Sequence, residues 1–197
     1  MSPETVRANF ERIQAEVGQG VTIVAATKYV SVEEMAVLAE AGVRVVGENR
    51  LQDLEAKHAA YGGAFSWHFI GHLQSRKAGD VSGMCELVHS LDSESAAARL
   101  EIPALVQVNL SGEESKSGID PSELERFLTL GPEIRGLSTM PPATGDPDGS
   151  RPYFRRLREL AEQHGLRELS MGTSQDYRVA AEEGATFVRV GSALFRG

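Results

Sequence analysis

Short runs of Val, Ile, Leu and Phe recur along the chain, each followed by a charged segment of helical period, and this alternation restricts the fold more than any other feature. Candidate strands cover 21–27, 43–48, 66–71, 86–91, 103–110, 134–139, 168–173 and 187–192. Candidate helices cover 32–41, 50–60, 75–82, 93–100, 121–131, 151–164 and 175–183, with a further one ahead of them at 3–17. Eight alternating βα units point to a closed parallel barrel. The expected fold is therefore α/β, a single (β/α)8 TIM-type barrel with an extra N-terminal helix, spanning 1–197 as one domain. An open doubly wound sheet is the alternative, but no GxGxxG follows the first strand, as a dinucleotide-binding sheet would want.

Local signals agree with this division. Ser31 with Glu34 and Asp120 with Glu123 have capping-box spacing, and Pro3 and Pro121 suit the first turn of a helix. Gly18, Gly42, Gly165 and Gly184 stand where helices should end. VLAEAGVRVVGEN (37–49) and VAAEEGATFVRVGS (179–192) both run helix, glycine, buried strand, glycine, as if one unit were used twice. The segment PPATGDPDGSRP (141–152) has loop composition and reads as a flexible, lid-like βα loop.

Charge and cysteine content narrow the partners. A net charge of −8, with no long Lys/Arg cluster, argues against nucleic acid and anionic membranes and favours small molecules. The lone Cys85 has no disulfide or metal partner of its own kind and reads as a small buried hydrophobe. No signal peptide or spanning segment is visible, so a cytoplasmic, monomeric protein is expected.

The functional residues follow from the barrel. Side chains at the C-terminal ends of strands carry function in such folds, and phosphate sites form after strands 7 and 8. Lys28 ends the first strand. After strand 7, Gly172 and Ser174 lead into a helix start, which offers free N–H groups. After strand 8, Gly191 lets backbone approach a ligand and Ser192 adds an N–H and a hydroxyl. Closure makes these strands neighbours, and two steps of about 4.8 Å give roughly 10 Å, close to the reach of pyridoxal phosphate. Arg189, in an otherwise apolar strand, needs a polar partner, and a pyridine nitrogen would serve. Two other clusters compete: His68 and His72, at helical metal-ligand spacing but in a strand-like setting, and Glu113, Glu114 and Lys116, which read as a solvated loop.

AATKYVSVEEM, VGENRLQD, WHFIGHLQSRK, VQVNLSGEESKSGI, RGLSTMPP and SMGTSQDYRVAAEEGATFVRVGSALF fall in the order of the pyridoxal phosphate homeostasis proteins, which the chain strongly resembles. Their barrel is similar to the N-terminal domain of alanine racemase. The resemblance implies that Lys28 holds pyridoxal 5'-phosphate as a Schiff base, that Arg189 faces the pyridine nitrogen, and that Ser174, Gly191 and Ser192 hold the phosphate. It adds Asn49 as a pocket residue. The chain departs from many relatives at His72 and Arg196, both expected at the pocket rim, and in a compressed stretch between Leu91 and Pro103, which implies a very short helix.

The resemblance implies a role in cofactor homeostasis, as a carrier or regulator with effects on amino-acid pools and without established turnover. An arginine opposite the ring nitrogen makes a weak electron sink, and no second domain is visible to bring a tyrosine base. Expected partners are pyridoxal phosphate, free amino acids and, transiently, enzymes that use the cofactor. An amino-acid racemase with Tyr29 as base, or a Schiff-base aldolase, are the alternatives.

Overall fold

The computed structural model of the protein describes residues 1–113, 117–143 and 145–196. Eight parallel strands close into a barrel in sequence order: β1 (Thr22–Ala26), β2 (Val45–Glu48), β3 (Ser66–Phe69), β4 (Leu87–Leu91), β5 (Ala104–Gln107), β6 (Ile134–Ser138), β7 (Glu168–Thr173) and β8 (Phe187–Val190). Closure runs through β1 and β8, where Thr22 to Ala25 pair with Phe187 to Val190. The open-sheet alternative is thereby excluded. Around the barrel lie α1 (Pro3–Val17), α2 (Met35–Ala41), α3 (Leu51–Tyr61), α4 (Ala78–Ser82), α5 (Glu94–Ala97), α6 (Leu124–Phe127), α7 (Arg151–Gln163), α8 (Tyr177–Glu182) and α9 (Ser192–Phe195).

The helix ends follow the local chemistry. Glu34 Oε2 accepts from Ser31 N–H at 3.0 Å while Ser31 Oγ accepts from Glu34 N–H at 3.3 Å, and Asp120 and Glu123 make the same reciprocal box. Gly42 closes α2 with φ of 92°, a conformation in which an L side chain is strained. Two helices fall short of their expected spans, α5 ending at Ala97 and α6 at Phe127. The last strand stops at Val190, so Gly191 and Ser192 belong to the turn into α9.

α7 shows how the outer layer is held. Phe154, Leu157, Leu160 and Ala161 face the sheet and are buried, each larger side chain contributing about 1.5–3 kcal/mol of transfer free energy. From its outer side Arg151, Arg155 and Arg158 all reach Glu183. Cys85 is buried in the hydrophobic core, and the apolar surroundings push its thiol up to about 12. Among the described residues no helix is long and apolar enough to cross a membrane.

Candidate functional site

A cavity of about 590 Å³ opens at the C-terminal end of the barrel, and Lys28, Asn49, Ser174, Arg189, Gly191 and Ser192 all line it. They arrive from opposite sides of the chain: Lys28 and Asn49 follow β1 and β2, Ser174 follows β7, Arg189 is on β8, and Gly191 and Ser192 follow it.

The Lys28 side is built on a buried ion pair that sequence reasoning missed. Lys57, from α3, bonds Glu48 at the end of β2 and donates to Thr27 O at 2.8 Å. Thr27 donates its backbone N–H to Gly47 O at 3.0 Å and its hydroxyl to Glu48. Glu48 also accepts from Asn49 N–H at 3.3 Å. The carboxylate therefore fixes the backbone on which both Lys28 and Asn49 stand, and Thr27, Glu48 and Lys57 are all buried. The only forewarning was a lysine in an apolar helical stripe, Leu51-Leu54-Lys57. Lys28 itself is exposed, with its ammonium 4.6 Å from the Tyr29 ring centroid and no hydrogen bond or ion pair among the described residues. Asn49 Oδ1 is buried and has no hydrogen-bond partner.

The opposite wall supplies donors. Gly191 N–H and Ala193 N–H both point at Ser174 Oγ, each at 3.1 Å. A Cβ at Gly191 would meet Ala26 O at 3.4 Å, an ordinary contact, so packing within the chain does not require a glycine there. Gly172 is different: its φ is 92° and a Cβ would lie 2.5 Å from that of Ala180, so the fold itself demands it. The helix start expected after strand 7 is also modified, because Asp176 accepts from Thr173 N–H at 2.7 Å and α8 begins only at Tyr177. The convergent backbone donors come from the turn after β8.

Arg189 forms the floor. Nη1 donates to Ser170 O at 3.1 Å and Ser170 Oγ at 2.7 Å, and Nη2 donates to Thr139 O at 3.0 Å and Met140 Sδ at 3.4 Å. No carboxylate pairs with it among the described residues, and desolvation lowers its pKa to about 10, against a smaller raising effect of Asp176.

The competing clusters separate. His68 is in β3 and pairs with His89, whereas His72 lies beyond the end of that strand at Phe69, exposed, 3.8 Å from Asp92 and outside the cavity. Of the two expected rim positions, then, only Arg196 lines it. Glu113 is exposed, and Glu114 and Lys116 lie outside the described residues. The 141–152 loop connects β6 to α7, with Met140 at its root against the cavity.

The cavity thus has an amine on one wall, backbone N–H groups converging on a hydroxyl on the other, and a guanidinium with no carboxylate partner among the described residues at its floor. The family profile described as alanine racemase, N-terminal domain, matches residues 1–197. A pyridoxal phosphate homeostasis protein of Aquifex aeolicus is 38% identical, over 94% of this chain and 93% of the relative, and one of Deinococcus radiodurans is 37% identical, over 99% and 100%. The chain belongs to the pyridoxal phosphate homeostasis protein family. Among solved structures, PipY of Synechococcus elongatus, described both without PLP and with PLP bound, aligns over 97% of this chain and 100% of PipY with a TM-score of 0.87 at 31% identity. An alanine racemase of Corynebacterium glutamicum aligns with a TM-score of 0.78 at 18% identity, which is a likeness of fold.

Proposed function

We propose that this homeostasis-family member binds pyridoxal 5'-phosphate in the cavity and acts as a carrier or regulator of that cofactor. The carrying observation is the pairing, in one cavity, of an uncommitted Lys28 amine with the two N–H groups that converge beside Ser174. The residues fit the group on chemical grounds. The N–H pair and the hydroxyls of Ser174 and Ser192 suit phosphate oxygens, Arg189 offers a donor to an acceptor nitrogen, and the orphaned Asn49 Oδ1 has an acceptor to satisfy. The bound cofactor supplies a reactive carbonyl to amines. Lys28 would hold it through its amine, Arg189 would donate to the ring nitrogen, and the β8 turn would hold the phosphate.

The carrier reading rests on what surrounds Lys28. Tyr177 is held by Arg12 and Glu16, Tyr61 packs on Phe65, and neither they nor Tyr153 line the cavity. Tyr29 does line it, but is 86% exposed. That position supports racemisation as a second reading, with Tyr29 as base. Borohydride reduction of the loaded protein followed by peptide mapping tests the first reading: the adduct is expected on Lys28 and absent from Lys28→Ala, and an adduct on Lys77 instead would refute it. NMR of L-alanine in deuterium oxide with the loaded protein separates the two. No α-deuteration is expected, and exchange abolished by Tyr29→Phe would establish the racemase.

A further inference from the structure

The interior of the barrel, normally filled with branched aliphatic side chains, here carries a polar line. From the amino-terminal rim inward, Ser66 Oγ donates to Glu86 Oε2 at 2.6 Å, His68 Nε2 stands 3.5 Å from Ser66 Oγ, His68 Nδ1 meets His89 Nε2 at 2.8 Å, and His89 Nδ1 meets Ser170 Oγ at 2.7 Å. Ser170 Oγ then receives Arg189 Nη1. His89 is on β4 and Ser170 on β7, which are not neighbours, so this bond crosses the barrel. Phe187 packs edge-on against both imidazoles, with centroids at 5.8 and 5.1 Å.

The sense of every bond in the line is determined. Arg189 can only donate, so Ser170 Oγ accepts from it. Ser170 is fully buried, and its hydroxyl hydrogen would have no acceptor unless it points to His89 Nδ1. Nδ1 of His89 is then bare, and its Nε2–H donates to His68 Nδ1. His68 in turn keeps its hydrogen on Nε2, facing Ser66. The far end demands the same order independently, because the Glu86 carboxylate can only accept. Passing a proton along this direction would move it from a guanidinium to a carboxylate, which is strongly uphill. The line therefore holds a geometry and does not conduct.

We propose that His89 and His68 are positioning residues for Arg189: through Ser170 they hold its guanidinium by neutral acceptors of fixed polarity, leaving its charge intact and its Nε–H to meet the cofactor ring as a donor. Among the described residues Arg189 Nε has no partner, whereas both Nη atoms are engaged. A carboxylate in place of Ser170 would have neutralised the charge. An inverted histidine tautomer would have aimed a hydrogen at Ser170 and turned its hydroxyl hydrogen toward the arginine.

The proposal rests on the cofactor reading for its consequence, and its own test begins without cofactor. In the unloaded wild-type protein, 15N NMR of the imidazoles should show both histidines neutral, protonated on Nε2 and bare on Nδ1, at neutral pH. The opposite tautomer at His89, or an imidazolium, would overturn the proposal whatever the protein binds. In the loaded protein, His89→Phe should weaken pyridoxal phosphate about tenfold and shift its absorbance band, and His89→Gln, whose amide can accept from Ser170 and donate to His68, should recover most of that loss. His89→Phe combined with Ser170→Ala should be no worse than either alone, as expected of one chain. Unchanged affinity in a folded His89→Phe would refute the positioning role. A wild-type protein that binds no pyridoxal phosphate would refute the proposed function instead, with the tautomers still deciding the polarity of the line.

Discussion

Two cations of the same barrel, Lys57 buried and Arg189 half-buried, are treated oppositely. Lys57, beneath the end of β1, is paired with the Glu48 carboxylate and a backbone carbonyl. Arg189, beneath the cavity, is surrounded by carbonyls, a hydroxyl and a thioether, with no carboxylate in contact among the described residues. The first arrangement cancels charge and ties two strand ends together. The second keeps charge available at the price of desolvation. The difference separates a cation tied into the fold from one which, under the proposed function, is left for a ligand.

Substitution should expose this division. Lys57→Met leaves Glu48 buried without its counter-charge, and should cost about 3–5 kcal/mol in denaturant unfolding, with cofactor loss following from the disturbed Thr27–Asn49 backbone. A marginal stability change would show that Glu48 is solvated after all. Arg189→Met should be milder in unfolding, about 1–3 kcal/mol from the acceptors left unpaired, yet should weaken pyridoxal phosphate retention while Lys28 still forms the borohydride-trapped adduct. If both variants lost stability equally with equal retention, the contrast would be void.

The histidines extend the comparison to pH. Desolvation lowers the pKa of His68 to about 4, with Glu86 opposing and Arg135 reinforcing the shift, and holds His89 well below the usual range, with His68 and Arg189 reinforcing it. The unfolded chain takes up these protons near 6.5 and the folded protein does so only at lower pH, so their stabilisation is full above about 6.5 and declines as pH falls toward 4. The decline should approach about 1.4 kcal/mol per pH unit for each histidine, and His68→Gln with His89→Gln should flatten it. A stability curve equally steep in the double variant would place the acid sensitivity elsewhere. With the least effect on the fold itself, Ser174→Ala with Ser192→Ala should speed cofactor release with little change in unfolding, a hydrogen bond to a charged phosphate being worth about 1.5–3 kcal/mol in binding. Release at the wild-type rate would remove the β8 turn from phosphate binding.

Much of this could be read from the residues, and the reasons are specific. Lys28, Arg189 and Ser192 were legible because a strand period assigns each to a strand end or an interior position, and a polar group there is conspicuous. The capping boxes were legible because they are local. Glu48–Lys57 and His68–His89–Ser170 were not, since they join residues 9 to 81 positions apart whose proximity exists only after closure. His68 was noticed for the wrong neighbour: helical spacing pointed to His72, whereas the adjacent strand supplied His89. The exact reach of α5 and α6 was not legible because no glycine marks where they end, their C-caps being Ala98 and Leu128.

The closure of β1 on β8 also sets an order of events. Lys28 precedes Arg189, Gly191 and Ala193 by most of the barrel, and Asn9 and Arg12 of α1 bond Leu194 O, Arg196 O and Ala193 O in the turn after β8. The two walls of the cavity meet only when a contact spanning more than 160 positions has formed, a topology that folds slowly. Until then Lys28 stands without the Gly191 and Ala193 N–H groups across from it. A ligand that binds the finished cavity draws the equilibrium toward the closed barrel by mass action, so ligand supply and the yield of folded protein become coupled quantities.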